Sequence, residues 1–178
     1  MSLVLYNYRR CPFCIRVRLV LLYHNTTYEK RDEKLRDWSE EFKAYFKETK
    51  PTVPLLLENN EPIYESLNIM QHLNKDLSEQ DFEHWGDWSA KTLRDAIQEY
   101  KYEDKGVEKL QLLLDELAQK TTPYLTGSKL ALADLAVWPF VRQAFRVQPI
   151  RLTMKEALQE WYNNIEQHEK LKDVMKKQ

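Results

Sequence analysis

Cys11 and Cys14 are the two cysteines of this 178-residue chain, and only two residues separate them in Tyr8-Arg9-Arg10-Cys11-Pro12-Phe13-Cys14. A cysteine does chemistry as the thiolate, so the question is what would ionise one of them. The run follows the apolar stretch Leu3-Val4-Leu5-Tyr6 and opens an apolar-periodic segment from Ile15 to Tyr23. A strand, a tight turn and a helix would place Cys11 at the helix N-terminus. Aligned peptide dipoles and unpaired N–H groups stabilise an anion there and lower a thiol's pKa. Pro12 suits the first helical turn, where its missing N–H costs nothing. Arg9, Arg10 and Arg16 add positive charge nearby. The expected chemistry is nucleophilic attack by Cys11.

Two further places extend this reading. Val53-Pro54 precedes the apolar run Leu55-Leu56-Leu57. Beside an active cysteine pair, a proline in that position suggests a cis peptide bond. It would turn the Val53 backbone toward Cys11, free to pair with an extended peptide as an added strand would. The plainer alternative is a proline opening an edge strand. In Tyr64-Glu65-Ser66, Ser66 is expected to cap a helix whose N-terminus suits a ligand carboxylate, and Glu65 could take an ammonium group. Glutathione has a thiol, peptide bonds and an amino-acid end, which match the three places.

Such a site needs a scaffold. Residues 3–7 predict a buried strand, and 12–24 a helix with Phe13, Val17, Val20, Leu21 and His24 at helical spacing. Residues 26–31 predict a second strand, and 37–46 a polar-rich helix carrying Trp38, Phe42, Tyr45 and Phe46. Strands at 55–57 and 62–64 flank an Asn59-Asn60 turn, and a helix is expected over 66–75. Strand–helix–strand units pack as crossovers on a sheet. Beyond Leu77 nearly everything predicts helix, over 79–100, 105–120, 132–147, 154–167 and 170–176, punctuated by Pro123, Gly127 and Pro149. The change of pattern divides the chain into an α/β domain, 1–76, and an all-α domain, 77–178.

Composition narrows the function classes. At 43% hydrophobic the chain can bury a sizeable core, and its net charge of −1 argues against nucleic acid or an anionic membrane as partner. Three glycines argue against a glycine-rich phosphate loop. There is no signal-peptide pattern and no apolar run of membrane length, so a soluble, cytoplasmic protein is expected. In that setting a close cysteine pair points to redox chemistry rather than a structural staple. His24, His72, His84 and His168 are scattered and make no zinc spacing with the pair, so no metal is expected. Trp85, Trp88, Tyr100, Tyr102 and Trp138 stand at helical spacing, which suits core positions better than a pocket lining.

In order and spacing, strand, Cys-Pro-aromatic, Val-Pro, then Glu-Ser opening a helix resembles the thioredoxin-like domain of cytosolic glutathione transferases, and an all-helical second domain is the other half of that fold. Arg9-Arg10-Cys11-Pro12-Phe13 with Arg16-Val17-Arg18-Leu19 is similar to the opening of a cysteine-type bacterial group near the omega class and the two-domain glutaredoxin. Glu65-Ser66-Leu67-Asn68-Ile69-Met70 resembles that group's second signature. Tyr100-Lys101-Tyr102 and Leu135-Ala136-Val137-Trp138-Pro139-Phe140-Val141-Arg142-Gln143 resemble its helical domain. The resemblance implies a thioredoxin-like domain followed by a helical transferase-type domain. It implies that Cys11 forms a mixed disulfide with glutathione or binds its sulfur. Val53, before a cis Pro54, would pair with the glutathione backbone, Glu65 and Ser66 would hold the γ-glutamyl end, and Phe13 would flank the site. It also implies a homodimer.

Three residues depart from the group. Cys14 stands where alanine is usual, so a dithiol is kept and the glutaredoxin-like reading gains. A lysine that often helps hold glutathione is replaced near Trp38. Ala131 stands where Ser or Thr usually precedes Asp134 in a capping box. Asp134 should still accept from the Ala131 N–H, while the reciprocal bond is lost and Leu130 with Leu135 offers a hydrophobic staple. The expected function is glutathione-dependent thiol transfer through Cys11, with Cys14 as resolving thiol. Conjugation of glutathione to small electrophiles and a non-enzymatic assembly module are the alternatives.

Overall fold

The computed structural model describes residues 2–103, 106–147 and 151–172. They divide into two compact units, the first ending at Asn74 and the second beginning at Lys75.

The first unit is built on β1 (Leu3–Asn7), every residue of which is buried. It is flanked on both sides, parallel to β2 (Glu29–Asp32) and antiparallel to β3 (Leu55–Glu58), and β4 (Glu61–Ile63) completes the order β2-β1-β3-β4. Leu5 stands opposite Leu56. Asn59 and Asn60 turn the β3–β4 hairpin with φ of 51° and 71°, the left-handed pair that a tight twisted hairpin requires. Helix α1 (Pro12–Tyr23) links β1 to β2 and packs against α3 (Ser66–Leu73). It is buried almost all round, arginines 16 and 18 included.

Two elements differ from expectation. The strand predicted over 26–31 starts only at Glu29. Asn25 leaves α1 with φ 48°, and the Thr26 N–H returns to the Leu21 carbonyl at 2.8 Å, so these residues close the helix instead. The helix predicted over 37–46 shrinks to α2 (Glu40–Lys43). Ser39 caps it, its Oγ accepting from Phe42 N–H at 3.2 Å, and Glu33 accepts from both Ser39 N–H and Oγ–H at 2.9 and 2.6 Å. After Lys43 the bonds tighten, Tyr45 N–H to Phe42 and Phe46 N–H to Lys43. Docking of aromatics sets this shape. Phe42 joins Val4, Tyr6, Leu55 and Leu57 in one core, with Trp38, Tyr45, Phe46 and Val53 packed on it.

The second unit is helical, as expected. The helix predicted over 79–100 begins after the left-handed Asp81 as α4 (Phe82–Trp88). It widens into a π turn over Ser89–Leu93 and continues as α5 (Arg94–Glu103). At the π turn the buried Ser89 hydroxyl donates to the Gly86 carbonyl at 2.9 Å. Then come α6 (Val107–Ala118), α7 (Leu132–Val147, at its predicted bounds) and α8 (Glu156–Glu166). Tyr100 and Trp138 are core, whereas Tyr102 is 71% exposed. Residues 169–172 form turns; the rest of the helix expected over 170–176 lies outside the described residues, as do Lys105 and Pro149. No helix among the described residues is long and apolar enough to cross a membrane.

Candidate functional site

The turn after β1 delivers Cys11 to the N-cap of α1, its N–H bonded to the Tyr8 carbonyl at 3.1 Å and Pro12 at the first helical position. Cys11 is half-buried, Cys14 fully buried, and both are free thiols. Cys11 Sγ lies 4.0 Å from the Val53 carbonyl oxygen, and the Val53–Pro54 bond is cis. The cysteines and Val53 thus meet at one point.

The thiol of Cys11 is pulled below its ordinary range. The largest cause is the hydrogen bond from Cys14; burial opposes it, and the amides of Cys14 and Phe13 and the charge of Arg16 add to the lowering. The Cys14 and Phe13 backbone N–H groups at the helix N-terminus favour the anion without a close cap bond to the sulfur. Cys14 moves the other way. Burial, then the hydrogen bond to Cys11 and its charge, hold its proton on, although the Tyr8 N–H points at its sulfur from 3.4 Å. The pair is therefore biased toward negative charge on Cys11, with the proton held on Cys14.

Ser66 corrects the sequence reading. It was expected to cap α3, but it is the first residue of that helix, and Glu65 occupies the cap position with φ 64°. Ser66 is 3% exposed, and its Oγ accepts from Arg16 Nε and Nη2 at 3.0 and 2.5 Å. With the hydroxyl committed inward, it cannot also accept from an α3 N–H. Arg16 itself is 2% exposed and lies 5.0 Å from the Phe13 ring centroid. It ties α1 to α3 while acting on Cys11, a role that the sequence reading missed when it counted Arg16 only as nearby charge. The available signal was an arginine inside an otherwise apolar helical run. Glu65 is exposed beside Ser66. Among the described residues no group of three or more His, Cys, Asp or Glu could hold a metal.

Comparison with known proteins matches two family models to the chain in succession. The family model for the glutathione S-transferase N-terminal domain matches residues 5–80, and that for the C-terminal domain matches 81–178. The chain belongs to the glutathione S-transferase family. Glutathione S-transferase U22 of Arabidopsis thaliana is 26% identical over 157 residues, 76% of this chain and 71% of that one. Glutathione transferase Omega 3C from Trametes versicolor superposes with a TM-score of 0.82 at 19% identity, over 100% of this chain and 89% of that one. Rice GST1, solved in complex with glutathione, gives 0.82 at 19% over 98% and 92%. At these identities the structural likeness is one of fold.

Within this transferase, Trp38 packs on Phe42, ring centroids 5.3 Å apart, so its side chain serves the α2 core. Asp134 accepts from the Ala131 N–H at 2.8 Å as expected. It also accepts from Leu125 N–H at 2.9 Å and from the Trp161 indole at 2.7 Å, neither of which the sequence indicated.

Proposed function

We propose that this transferase is a glutathione-dependent thiol transferase, with residues 1–76 as its glutathione-binding domain. The observation that carries the reading is the half-buried Cys11 sulfur at the N-terminus of α1, its thiol made more acidic by Cys14 and Arg16. In the proposed reaction the Cys11 thiolate attacks the glutathione sulfur of a mixed disulfide. A Cys11–glutathione bond forms, and the substrate leaves as a thiolate. A second glutathione thiolate then attacks that bond, releasing glutathione disulfide and returning the Cys11 thiolate. The Val53 backbone would pair with the peptide part of glutathione, Phe13 would flank it, and Glu65 with Ser66 would take its amino-acid end. Rice GST1 and Ure2p, which share the fold, were both solved with glutathione. Cys14 would resolve the Cys11 adduct when the substrate is a protein disulfide.

Mass spectrometry after treatment with oxidised glutathione tests this. One glutathione on Cys11 is expected in the Cys14→Ser protein, and an intramolecular disulfide in the wild type. Failure of Cys11 to react, with conjugation of glutathione to an aryl halide intact, would replace this reading by conjugation. Glu65→Ala should weaken glutathione binding about tenfold by calorimetry, the scale of one lost charge-assisted hydrogen bond.

A further inference from the structure

Arg18 is a buried cation that the site described so far does not use. Its side chain is 3% exposed, within the apolar stretch Val17 to Leu21. Nη2 donates to the Arg9 carbonyl at 3.0 Å, but Nε and Nη1 are buried with no hydrogen-bond partner among the described residues. A buried guanidinium with two idle nitrogens is costly, and packing alone gives no reason to keep it. Its place on α1 offers one. Arg18 follows Cys14 by four residues, one turn along the same helix face.

The surroundings leave Cys14 as the group best placed to use this charge. Burial weakens the hold of Arg18 on its proton, and the groups that favour its charge are Cys14 first, then Tyr28, Asp32 and Cys11. Tyr28 is itself pushed up by burial and stays a neutral phenol. The Asp32 carboxylate is largely exposed and already engaged by Asn7 Nδ2 at 2.5 Å and by Lys30 Nζ at 3.3 Å. Arg16, the other buried arginine of α1, is committed to Ser66. The Tyr8 N–H and Arg18 are the two groups that favour charge on Cys14, against burial and Cys11.

The geometry points to Arg18 as the positioning residue that receives the negative charge of Cys14 once Cys11 is tied up in a mixed disulfide. This rests on the thiol-transferase reading. At rest Cys14 keeps its proton, shared toward the Cys11 thiolate. When Cys11 becomes a disulfide it loses both its charge and its appetite for that hydrogen bond. The Cys14 proton then passes to solvent, and the thiolate faces Arg18. Cys14 Sγ attacks Cys11 Sγ, forming the bond between them. The Cys11–glutathione bond breaks with its electron pair on the departing glutathione thiolate, which takes a proton from water. Two glutathione molecules later restore the dithiol and leave as glutathione disulfide. The second thiol is thereby silent until the first is spent, and Arg18 makes that order work.

The test follows adduct and intramolecular disulfide by quenched-flow mass spectrometry, over a range of pH, in wild type, Arg18→Met and Arg18→Lys after mixing with oxidised glutathione. The adduct should form in all three. Its resolution at pH 7 should slow on the order of tenfold in Arg18→Met, with the rate profile moved about one pH unit up, and Arg18→Lys should restore most of it. Resolution in Arg18→Met at the wild-type rate and pH midpoint would overturn the assignment. Should Arg18→Met fail to fold, Arg18→Gln takes its place, because it removes the charge while keeping a polar side chain, and a wild-type rate and profile in that variant would count against the role. A second measurement stands apart from exchange. In the Cys11→Ser protein, the ultraviolet thiolate band of Cys14 should rise at higher pH when Arg18→Met is added, and an unmoved midpoint overturns the proposal. If wild type forms no Cys11 adduct, the thiol-transferase reading falls, and this titration still decides what Arg18 does to Cys14.

Discussion

Each unit of this transferase sets an anion at a helix N-terminus, and the two anions are treated in opposite ways. Asp134, in the first turn of α7, is 0% exposed and takes three N–H donors at 2.9, 2.8 and 2.7 Å, from Leu125, Ala131 and Trp161. Cys11, at the start of α1, is half-buried, and its side chain makes no close cap bond. Its charge is favoured by the Cys14 thiol, by the backbone amides of Cys14 and Phe13 and by an arginine whose guanidinium is bonded to Ser66. The same helix field thus yields a structural pin in one place and a reagent in the other. Direct donors make the difference. Three short hydrogen bonds occupy most of the lone pairs of a carboxylate and hold three segments together, whereas a sulfur without such short bonds keeps an electron pair free to attack.

The largest expected effects pull the two sites apart. Cys11→Ser should lower disulfide exchange at least about a thousandfold, roughly 4 kcal/mol of barrier, while denaturant unfolding changes by less than about 1 kcal/mol, since serine is a good N-cap. Asp134→Ala should do the reverse. Three buried donors lose their acceptor, and stability should fall by about 3 kcal/mol or more, with exchange per folded molecule unchanged. Exchange surviving in the first variant, or full stability in the second, would dissolve the contrast.

The two sites also differed in how far the sequence revealed them. Cys11, Cys14 and Val53-Pro54 carry their meaning in residue type and spacing, because a thiol at the end of a strand has few other uses. Asp134 was half legible: its bond to Ala131 is local, but Leu125 and Trp161 reach it from 9 and 27 positions away. Ser66 misled for the same reason. A serine beside a helix start ordinarily caps it, and only the distant Arg16, 50 positions away, shows why this one does not. In the fold, α7 with its steady apolar period kept its predicted bounds, while α2 did not, because Glu33 and the aromatic core outweigh local propensity there.

A pH series sharpens the claim that Cys11 is acidified without short, direct bonds. Its thiol sits below the ordinary value, so the thiolate persists as pH falls until the lowered value is reached. Alkylation by iodoacetamide should therefore approach its plateau below the usual cysteine range. The largest cause of the lowering is the Cys14 hydrogen bond. Cys14→Ala should move the midpoint up and slow alkylation near neutral pH by up to about tenfold. An unmoved midpoint would mean that the helix terminus and Arg16 suffice, making Cys11 more like Asp134 than the contrast allows.

The smallest effect asks whether the α7 terminus is as closed as its three donors imply. Ala131 supplies an N–H to Asp134, and the Asp134 N–H returns to the Ala131 carbonyl at a long 3.2 Å. Ala131→Ser would offer a hydroxyl to that same N–H and complete the reciprocal box, for a gain of about 1 kcal/mol in unfolding free energy. Ala131 is buried, so a hydroxyl that failed to find the N–H would instead cost stability. A gain that couples to Asp134 by more than about 0.5 kcal/mol in a double-mutant cycle would show two side chains sharing one terminus. The comparison with Cys11→Ser is then direct. Each substitution puts a serine at a helix N-cap: at 131 it should only add stability, and at 11 it should leave a well-capped helix that no longer exchanges disulfides.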